Sequence, residues 1–279
     1  MIKDILYVGT LDQIPLISVS LQSISKRHNN ELNIHFIYYS QSCNSSFLKS
    51  LTYYSLRLGF NLTTYNLKDY FSNKSVLSIA HMPPHMWRLA APVLIKSDSL
   101  LYIDSDTLVC NDLSGILEID FNGNSICARV DYASKFEIFL SYVVGDKYSS
   151  NDPYLNSGVI AWDLKSSREA RDTEAFVATA LSNWEECFRP PYPQPDQIVL
   201  NLVFHKRWLK MNPTYNAFIR EPEMVGAHIL HFLGSTKPWS PRTPVKLTFQ
   251  YWLYLLRTPY KLWNFSAFLK RFTNPELAP

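Results

Sequence analysis

The chain has 279 residues, of which 47% are hydrophobic, 14% aromatic and 18% charged, and its formal net charge is +3. This composition excludes an intrinsically disordered chain and allows a sizeable core in one large domain or two small ones. The four cysteines are widely spaced without a Cys-x-x-Cys pair, which argues against a thiolate zinc site and for free thiols in a reducing compartment.

The first hundred residues alternate strand-like and helix-like patterns. Short β-rich apolar runs are followed by segments whose apolar residues recur at helical spacing, which is typical of an α/β domain with a parallel sheet. The predicted elements are strands at 5–8, 34–39 and 61–67 and helices at 16–24, 47–58 and 85–95, the last kinked at Pro92. Thr10 and Asp12 follow the end of the first strand, which is where ligands bind in such sheets.

The second part of the chain continues this order. The predicted elements are strands at 100–103, 126–130, 159–162 and 227–233, helices at 168–188 and 197–204, a loop with short helices at 133–154 and an extended connector at 189–195. Asp131 ends one of these strands, and Asn156 and Ser157 lie at the mouth of the next. Asp196 is expected to be the N-cap of the helix that follows the connector.

Two carboxylates, Asp104 and Asp106, follow directly on the apolar strand at 100–103. In an extended chain they would point to one face and Ser105 to the other. Neighbouring carboxylates resist desolvation unless positive charge lies between them, and oxygen ligands suit Mg²⁺ or Mn²⁺. The pattern predicts a divalent-metal site, with an acidic turn after a core strand as the alternative.

The predicted late strand carries two histidines, His228 and His231, which are three residues apart and therefore face opposite sides. His231 precedes Gly234 and Lys237, and a histidine, a close-approach glycine and a lysine suit a metal-bound diphosphate. A satisfied core histidine is the alternative interpretation of His231.

Another histidine pair, His81 and His85, has the i, i+4 spacing of helical metal ligands. Pro83 and Pro84 lie between the two residues and would break such a helix. We therefore leave this pair out of the predicted site.

Four motifs in order over residues 4–240 carry a family resemblance. They are Tyr102-Ile103-Asp104-Ser105-Asp106, Asn156-Ser157-Gly158-Val159, Asp196-Gln197 with Leu200-Asn201, and His231-Phe232-Leu233-Gly234 with Lys237-Pro238-Trp239. The chain resembles the retaining glycosyltransferases of the glycogenin and bacterial lipopolysaccharide galactosyl- and glucosyltransferase family, glycosyltransferase family 8. The resemblance implies the GT-A fold, a single α/β domain whose mixed, mainly parallel sheet is flanked by helices and binds a nucleotide sugar.

The resemblance also implies roles for the matching residues. Asp104, Asp106 and His231 would hold a manganese ion, with magnesium as the alternative, that bridges the diphosphate of a UDP-sugar donor. Asp196 would bind the transferred sugar and Gln197 would lie beneath its anomeric carbon. The other implied donor-binding residues are Lys237 and Gly234 at phosphate, Arg88 at the nucleotide or sugar, Asp131 and Asn156 at sugar hydroxyls, Thr10 and Asp12 at uridine, and Ser105 and Ser157 within the motifs.

Two positions depart from the family pattern. Thr10-x-Asp12 looks more like glycogenin than like the bacterial galactosyltransferases, which carry Asp and Asn there. Ile198 stands where many relatives have a second Asp after Asp-Gln. These departures concern uracil recognition and the sugar end of the site.

The resemblance implies transfer of galactose or glucose from a UDP-sugar, with retention, to a glycan or glycolipid acceptor of the bacterial lipopolysaccharide or lipooligosaccharide class. Since the residue aligned beneath the anomeric carbon, Gln197, is a poor nucleophile, front-face attack is favoured over a covalent intermediate. One alternative is a non-catalytic GT-A-like protein that binds sugar nucleotides. The other is a metal-dependent nucleotidyltransferase, although the segment 10–15 lacks the Gly-rich or basic phosphate loop that such an enzyme would need.

The C-terminal segment concentrates positive charge. From residue 240 onward there are six Lys or Arg and one acid, and aromatic residues lie between the basic ones. We therefore expect a GT-A catalytic domain at 1–240 and a tail at 241–279 that docks on anionic lipid. The alternative is a C-terminal helix packed on the domain. No nucleic-acid partner is expected, because no recognised binding module accompanies the tail.

The N-terminus runs straight into a strand-like segment, so no secretion signal is expected. No apolar run approaches the roughly 20 residues needed to cross a bilayer. Together with the tail, these patterns predict a cytoplasmic protein that lies peripherally on the inner face of the cytoplasmic membrane.

Overall fold

The computed structural model describes residues 1–28, 32–41, 46–131, 152–185 and 195–264. Residues 133–151 of the loop predicted at 133–154 lie outside the described residues. The end of the helix predicted at 168–188, most of the connector at 189–195 and the last part of the tail also lie outside them.

Ten strands form two sheets in the part of the chain that the structure describes. The strands are β1 (Asp4–Val8), β2 (Asn33–Tyr38), β3 (Asn61–Asn66), β4 (Ser99–Ile103), β5 (Thr107–Val109), β6 (Ile126–Val130), β7 (Leu155–Asp163), β8 (Trp208–Lys210), β9 (Ala217–Phe218) and β10 (Ile229–His231). The larger sheet has seven strands in the order β3-β2-β1-β4-β7-β6-β8. Strand β7 alone runs antiparallel to its two neighbours, β4 and β6, and the other pairs are parallel. The mixed, mainly parallel sheet implied by the family resemblance is confirmed. The strand–helix pattern predicted a parallel sheet and did not indicate the antiparallel β7.

The smaller sheet has three strands in the order β5-β10-β9. Strand β10 is antiparallel to β5, and the register pairs His231 with Thr107. Because Thr107 comes directly after Asp106, this pairing brings His231 next to the two carboxylates. The short second sheet therefore joins two motifs that are far apart in the chain.

Besides short 3₁₀ helices, nine α-helices lie among the described residues. They are α1 (Ile14–Ile24), α2 (Ser46–Arg57), α3 (Lys74–Ala80), α4 (Ala91–Leu94), α5 (Ser114–Leu117), α6 (Leu164–Glu169), α7 (Asp172–Ser182), α8 (Pro195–Val203) and α9 (Val245–Leu255). The helices predicted at 16–24, 47–58 and 197–204 are confirmed. Gly59, with a φ of +84°, follows the end of α2, where this left-handed backbone conformation favours glycine.

Two predicted helices differ from the structure, one in helix type and the other in continuity. The segment predicted as a helix at 85–95 is a 3₁₀ helix over Pro84–Ala90 followed by α4. Pro92 is the second residue of α4 and does not kink a longer helix, because backbone N–H groups in the first turn of a helix have no partner within the helix. The single helix predicted at 168–188 is broken into α6 and α7 at Arg171, whose φ is +56°.

The core lies on both faces of the large sheet, because alternate strand residues point to opposite faces. On one face, Leu6 and Tyr102 pack against side chains of α3, α4, α7 and α8. On the other face, Ile5 and Leu101 pack against side chains of α1 and α2. The carboxyl ends of β1 and β4 are thus held at one fixed edge between two helical layers.

A third cluster joins α1 to α9 and the small sheet. Tyr251 and Trp252 of α9 are buried there, with Leu16 and Val19 of α1. The first part of the predicted tail therefore packs against the α/β core. Across the described residues, none of the helices has the length and apolarity that a membrane span requires.

Cys110 and Cys127 are free thiols, as the cysteine spacing predicts, and Cys43 and Cys187 lie outside the described residues. Burial raises the pKa of the Cys110 thiol to about 11 and that of the Cys127 thiol to about 12. Neither thiol is suited to act as a nucleophile near neutral pH.

Candidate active site

Asp104 and Asp106 lie in a turn between β4 and β5, immediately beyond the carboxyl end of β4. The turn is fixed by two hydrogen bonds, from the Asp104 N–H to the Gly158 carbonyl at 2.8 Å and from the Thr107 hydroxyl to the Asp104 carbonyl at 2.9 Å. Their carboxylates therefore converge because the chain turns. The extended-strand argument for their common direction is wrong in this respect.

His231 completes a three-residue cluster with these carboxylates. Its Nε2 is 3.6 Å from Asp104 Oδ2 and 3.4 Å from Asp106 Oδ1. One ligand atom from each residue lies within 4.8 Å of the other two. Two carboxylate oxygens and one imidazole nitrogen at this separation fit a single divalent cation.

The electrostatics of the two carboxylates differ. Burial alone would raise the pKa of Asp106, but its contacts with His231 and Lys237 lower that pKa below its ordinary value. Burial raises the pKa of Asp104, and the nearby Arg88 and His231 offset only part of this effect. A cation between the two groups would remove the remaining cost of keeping both ionised.

Arg88 and Tyr102 hold Asp104 from the side opposite His231. The buried guanidinium of Arg88 donates to Asp104 Oδ1 at 3.1 Å and to the Ser157 carbonyl at 2.6 Å, and it lies 4.0 Å from the centroid of the Tyr102 ring. The Tyr102 hydroxyl also donates to Asp104 Oδ1. Arg88 is 3.5 Å from the Asp196 carboxylate as well, so it joins the carboxylate turn to α8.

The first turn of α8 presents Asp196 and Gln197 to the start of β7. The Ser157 hydroxyl donates to Asp196 Oδ2 at 2.9 Å, and the Ser157 N–H donates to Gln197 Oε1 at 2.9 Å. The amides of Gln197 and Asn156 both donate to Asp131 Oδ2, at 3.4 and 3.3 Å. The prediction that Asp196 is an N-cap is wrong, because Asp196 is the second residue of α8 and its carboxylate bonds Ser157.

Two adjoining cavities meet at these residues. The larger, about 400 Å³, extends from the carboxyl end of β1 to Lys237 and Trp239. The smaller, about 210 Å³, is bounded by the start of β7, the first turn of α8 and His231. His85, Arg88 and Asp104 line both. The arrangement suits an elongated ligand with one end in each cavity and negative charge near the junction.

Not every residue expected at the site lines a cavity. At the end of β1, Gly9 and Gln13 line the larger cavity, whereas Thr10 and Asp12 do not. The Thr10 N–H donates to Gln13 Oε1 at 3.2 Å, and Asp12 is exposed. The role of Thr10 and Asp12 at uridine therefore stays a prediction.

At the opposite end of the larger cavity, Lys237 and Trp239 line the wall, as does Ser105 of the carboxylate turn. Gly234 has a φ of +56°, which lets the chain turn sharply between His231 and Lys237. Gly234 itself lines neither cavity, so its contact with phosphate is also still a prediction.

Sequence reasoning missed His85. This residue begins a 3₁₀ turn three positions before Arg88, and because residues i and i+3 eclipse in a 3₁₀ helix, both lie on the cavity side. His85 Nε2 is 4.0 Å from Asp196 Oδ1 and has no hydrogen-bond partner among the described residues. Burial lowers the pKa of His85. The two prolines were a correct signal against an α-helix, but nothing in the sequence indicated the 3₁₀ turn.

Asn216 was missed as well. It is fully buried, and its Oδ1 lies 3.0 Å from Nδ1 of His231. It lies in a segment, 212–226, that carries no periodic pattern, and a lone asparagine there gives no signal in the sequence. Only the packing of β9 beside β10 brings it to the site.

Several known proteins are similar to this chain in sequence. The model of Glycosyl transferase family 8 matches residues 4–243. The chain is 27% identical over 198 residues to General stress protein A of Bacillus subtilis (strain 168). These residues cover 64% of this chain and 65% of that protein. The chain is 24% identical over 239 residues to the lipopolysaccharide 1,2-glucosyltransferase of Escherichia coli (strain K12). That alignment covers 80% of this chain and 68% of the glucosyltransferase. The chain thus spans slightly less than two thirds of the stress protein.

A solved structure shares the fold. The galactosyltransferase LgtC, crystallised with donor and acceptor sugar analogs, superposes with a TM-score of 0.71 at 18% identity, over 92% of this chain and 96% of LgtC. The seven-stranded mixed sheet with flanking helices is therefore the GT-A fold. Since the family model matches residues 4–243, nearly the whole described chain, this protein belongs to glycosyl transferase family 8.

Proposed function

We propose that this chain is a metal-dependent, retaining hexosyltransferase that moves galactose or glucose from a UDP-sugar to a glycan acceptor of the bacterial lipopolysaccharide or lipooligosaccharide class. The observation that carries the proposal is the cluster of Asp104, Asp106 and His231 at the junction of two cavities. A relative that is a lipopolysaccharide 1,2-glucosyltransferase supports the acceptor class.

The donor set supports manganese, with magnesium as the alternative. Two carboxylates and an imidazole form a mixed oxygen and nitrogen site, whereas magnesium is held most often by oxygen alone. A divalent cation held by Asp104, Asp106 and His231 would supply positive charge to the diphosphate as it leaves. The position of the cluster between the cavities supports a donor whose nucleotide lies on one side and whose sugar lies on the other.

Two cationic side chains are already in place for the same leaving group. Lys237 contacts Asp106 on the side of the larger cavity, and Arg88 is held between Asp104 and the Ser157 carbonyl. Positive groups that are oriented before the reaction need no reorganisation as negative charge develops, so they stabilise the transition state more than mobile groups would.

The smaller cavity is the proposed sugar subsite. Asp196 and Asn156 line this cavity with carboxylate and amide groups that can bind hydroxyls. Asp131 lines neither cavity but contacts the amides of Asn156 and Gln197, and it is proposed to bind a sugar hydroxyl beside them. The Gln197 amide is fixed by the Ser157 N–H and is a poor nucleophile, which supports front-face attack. In that mechanism the acceptor hydroxyl attacks the anomeric carbon from the side of the leaving diphosphate, and a diphosphate oxygen takes its proton. Thr10 and Asp12 are proposed to contact the uracil or ribose.

Manganese-dependent hydrolysis of UDP-sugars tests the proposal. With a panel that includes UDP-galactose and UDP-glucose, we expect one donor to release UDP when Mn²⁺ is present and not after its removal with EDTA. Asp106→Asn and His231→Ala should each reduce the rate by at least 100-fold, by loss of a metal ligand. Asp112→Asn, which removes an exposed carboxylate outside both cavities, is the matched control and should keep the wild-type rate.

The products distinguish the alternatives. Release of pyrophosphate would indicate nucleotidyl transfer and contradict the proposal. Binding of UDP-sugars without hydrolysis, even when acceptor sugars are supplied, would favour a non-catalytic sugar-nucleotide-binding protein.

We also propose that the chain contacts an anionic membrane surface peripherally, on the cytoplasmic side, through the 241–279 segment. The outer side of α9 supports this location. It exposes the apolar residues Val245, Phe249, Leu253 and Leu256, and Lys246 is exposed beside them. An exposed apolar stripe with basic neighbours is typical of a helix that lies in a bilayer interface.

A further inference from the structure

A line of buried hydrogen bonds leads from the backbone of β7 to the ring of His231. The Gly158 N–H donates to Asn156 Oδ1 at 3.0 Å, and Asn216 Nδ2 lies 2.8 Å from the same oxygen. Asn216 Oδ1 lies 3.0 Å from His231 Nδ1. Asn156, Asn216 and His231 are exposed by 2%, 0% and 1%, so each hydrogen bond is shielded from water.

The backbone N–H of Gly158 determines which atom donates and which accepts in each of these hydrogen bonds. A backbone N–H can only donate, so the atom of Asn156 that faces it must be the carbonyl oxygen. That oxygen can only accept, so Asn216 must turn its NH₂ group to Asn156 and its own carbonyl oxygen to His231. An oxygen at Nδ1 requires a proton on Nδ1. Nε2 is then the nitrogen that faces Asp104 and Asp106, and a cation bound between them would take its lone pair.

Asn216 is itself held rigidly. Its backbone carbonyl accepts from Arg129 Nη1 at 2.7 Å, and the same guanidinium pairs with Glu221 and lies 3.9 Å from the centroid of the Phe218 ring. Phe218 in turn contacts the His231 ring edge to face, with centroids 5.9 Å apart. The backbone that carries the asparagine is therefore fixed beside the histidine.

We propose that Asn216 is a positioning residue that holds His231 with its proton on Nδ1 and its Nε2 lone pair directed at the cation. Through Asn156, the same side chain links His231 to Asp131 at the sugar end of the site. The inference rests on the proposed metal site. It adds the prediction that loss of Asn216 weakens metal binding although Asn216 is not a ligand, since partners that orient a ligating histidine commonly contribute 10- to 100-fold in affinity.

Binding of Mn²⁺ to the full chain tests this role without any measurement of turnover. Mn²⁺ is titrated alone and with UDP, and the free ion is followed by electron paramagnetic resonance. We expect Asn216→Ala to bind Mn²⁺ at least tenfold more weakly. Asn216→Asp keeps an acceptor for Nδ1–H but turns an oxygen towards Asn156 Oδ1, so it should lose less affinity than Asn216→Ala. Asn66→Ala removes a buried asparagine far from the site and should have no effect.

A second measurement uses the wild-type protein and does not depend on the folding of a variant. In ¹⁵N-histidine-labelled protein saturated with Mg²⁺, the side-chain nitrogen resonances of His231 should show a proton on Nδ1 and none on Nε2. A proton on Nε2 would overturn the inference. So would wild-type Mn²⁺ affinity in Asn216→Ala.

His231→Ala separates this inference from the proposal on which it rests. If His231→Ala binds Mn²⁺ as tightly as wild type, the proposed metal site itself fails. If His231→Ala binds weakly and Asn216→Ala binds normally, the metal site stands and only the role of Asn216 is lost.

Discussion

Gly158 leaves the space that the His231 ring occupies. A Cβ at position 158 would lie 2.6 Å from His231 Nδ1 and even closer to Cε1, and it would also lie 3.1 Å from Asn156 Oδ1. Real Cβ atoms do not approach ring atoms so closely, so either the ring or the start of β7 would have to move. The glycine of the Asn-Ser-Gly motif thus has a packing function beside the proposed metal.

Gly158→Ala should therefore disrupt metal binding more than stability. We expect Mn²⁺ affinity to fall at least tenfold, because His231 is displaced from Asp104 and Asp106, while the circular dichroism spectrum stays that of the folded protein. Gly115→Ala is the matched control, since its Cβ would also make a close contact, but with the hydroxyl end of Tyr215 outside both cavities. Wild-type Mn²⁺ affinity in Gly158→Ala would refute the packing argument.

At the scale of elements, the reversed direction of β7 explains how its motif reaches the site. In a sheet of parallel strands the carboxyl ends carry the ligand, but β7 is antiparallel to β4. Its amino end, with Asn156 and Ser157, therefore lies beside the carboxyl end of β4, with Asp104. The sequence predicted a strand at 159–162 with these polar residues before it, whereas β7 begins at Leu155 and includes both. The sequence did not indicate which way the strand runs.

The end of α1 is tied to the segment before α5 by His28. Its Nε2 accepts a hydrogen bond from the Leu113 N–H at 3.0 Å and lies 3.8 Å from Asp112 Oδ1. Burial lowers the pKa of His28, and the attraction of Asp112 offsets part of this effect. Protonation of Nε2 would abolish the hydrogen bond, so this contact requires the neutral ring.

This contact predicts a pH dependence of stability. Because the pKa of His28 is lower in the folded state than its ordinary value of about 6.5, the unfolded chain binds more protons as the pH falls below that value. The stabilisation is complete above pH 6.5 and is lost as the pH falls towards the folded pKa. The free energy of unfolding, from urea titrations at pH 7.5, 6.5 and 5.5, should reveal this decrease.

Two variants test the assignment to His28. His28→Gln keeps an acceptor for the Leu113 N–H without a titrating ring, so the decrease should become smaller. Asp112→Asn removes the charge that favours the protonated ring, so the decrease should become larger. The assignment is wrong if both variants follow the wild-type curve.

At the scale of the whole molecule, α9 is both a core element and a candidate membrane surface. Its inner side buries Tyr251 and Trp252 against α1 and the small sheet. Deletion of residues 245–279 would therefore expose core residues as well as remove the surface. Substitutions confined to the outer side of α9 are the sharper test of membrane docking.

Triple substitution of Phe249, Leu253 and Leu256 by Ser should weaken sedimentation of the protein with vesicles that contain phosphatidylglycerol by at least tenfold. The apolar stripe supplies the buried area, and the basic residues supply attraction to the anionic lipid, so binding should also fall at high salt. Leu181→Ser, which changes an exposed leucine of α7, is the matched control and should not alter sedimentation. The docking proposal would be contradicted if the triple variant sedimented with the vesicles as well as wild type does. It would also be contradicted if the wild-type protein did not sediment with them.

Local patterns were enough to predict much of this molecule. The alternation of strands and helices up to β4, the two carboxylates after that strand, and the late strand with His231 are each encoded within short stretches, because periodicity and turn residues act over a few positions. The four motifs, in their order along the chain, were enough to indicate the family. The convergence of Asp104, Asp106 and His231 was expected from the resemblance, and the register of β5 with β10 accounts for it.

Long-range packing decided the rest. The sequence alone determined which elements form and which side chains can act as ligands, since these depend on residue type and local spacing. Only the tertiary structure decided the direction of β7, the 3₁₀ turn that brings His85 into both cavities, the break at Arg171 and the burial of α9. Asn216 shows the reason most clearly. Its position beside His231 depends on a strand pairing between segments that share no local pattern, and no window of sequence contains that contact.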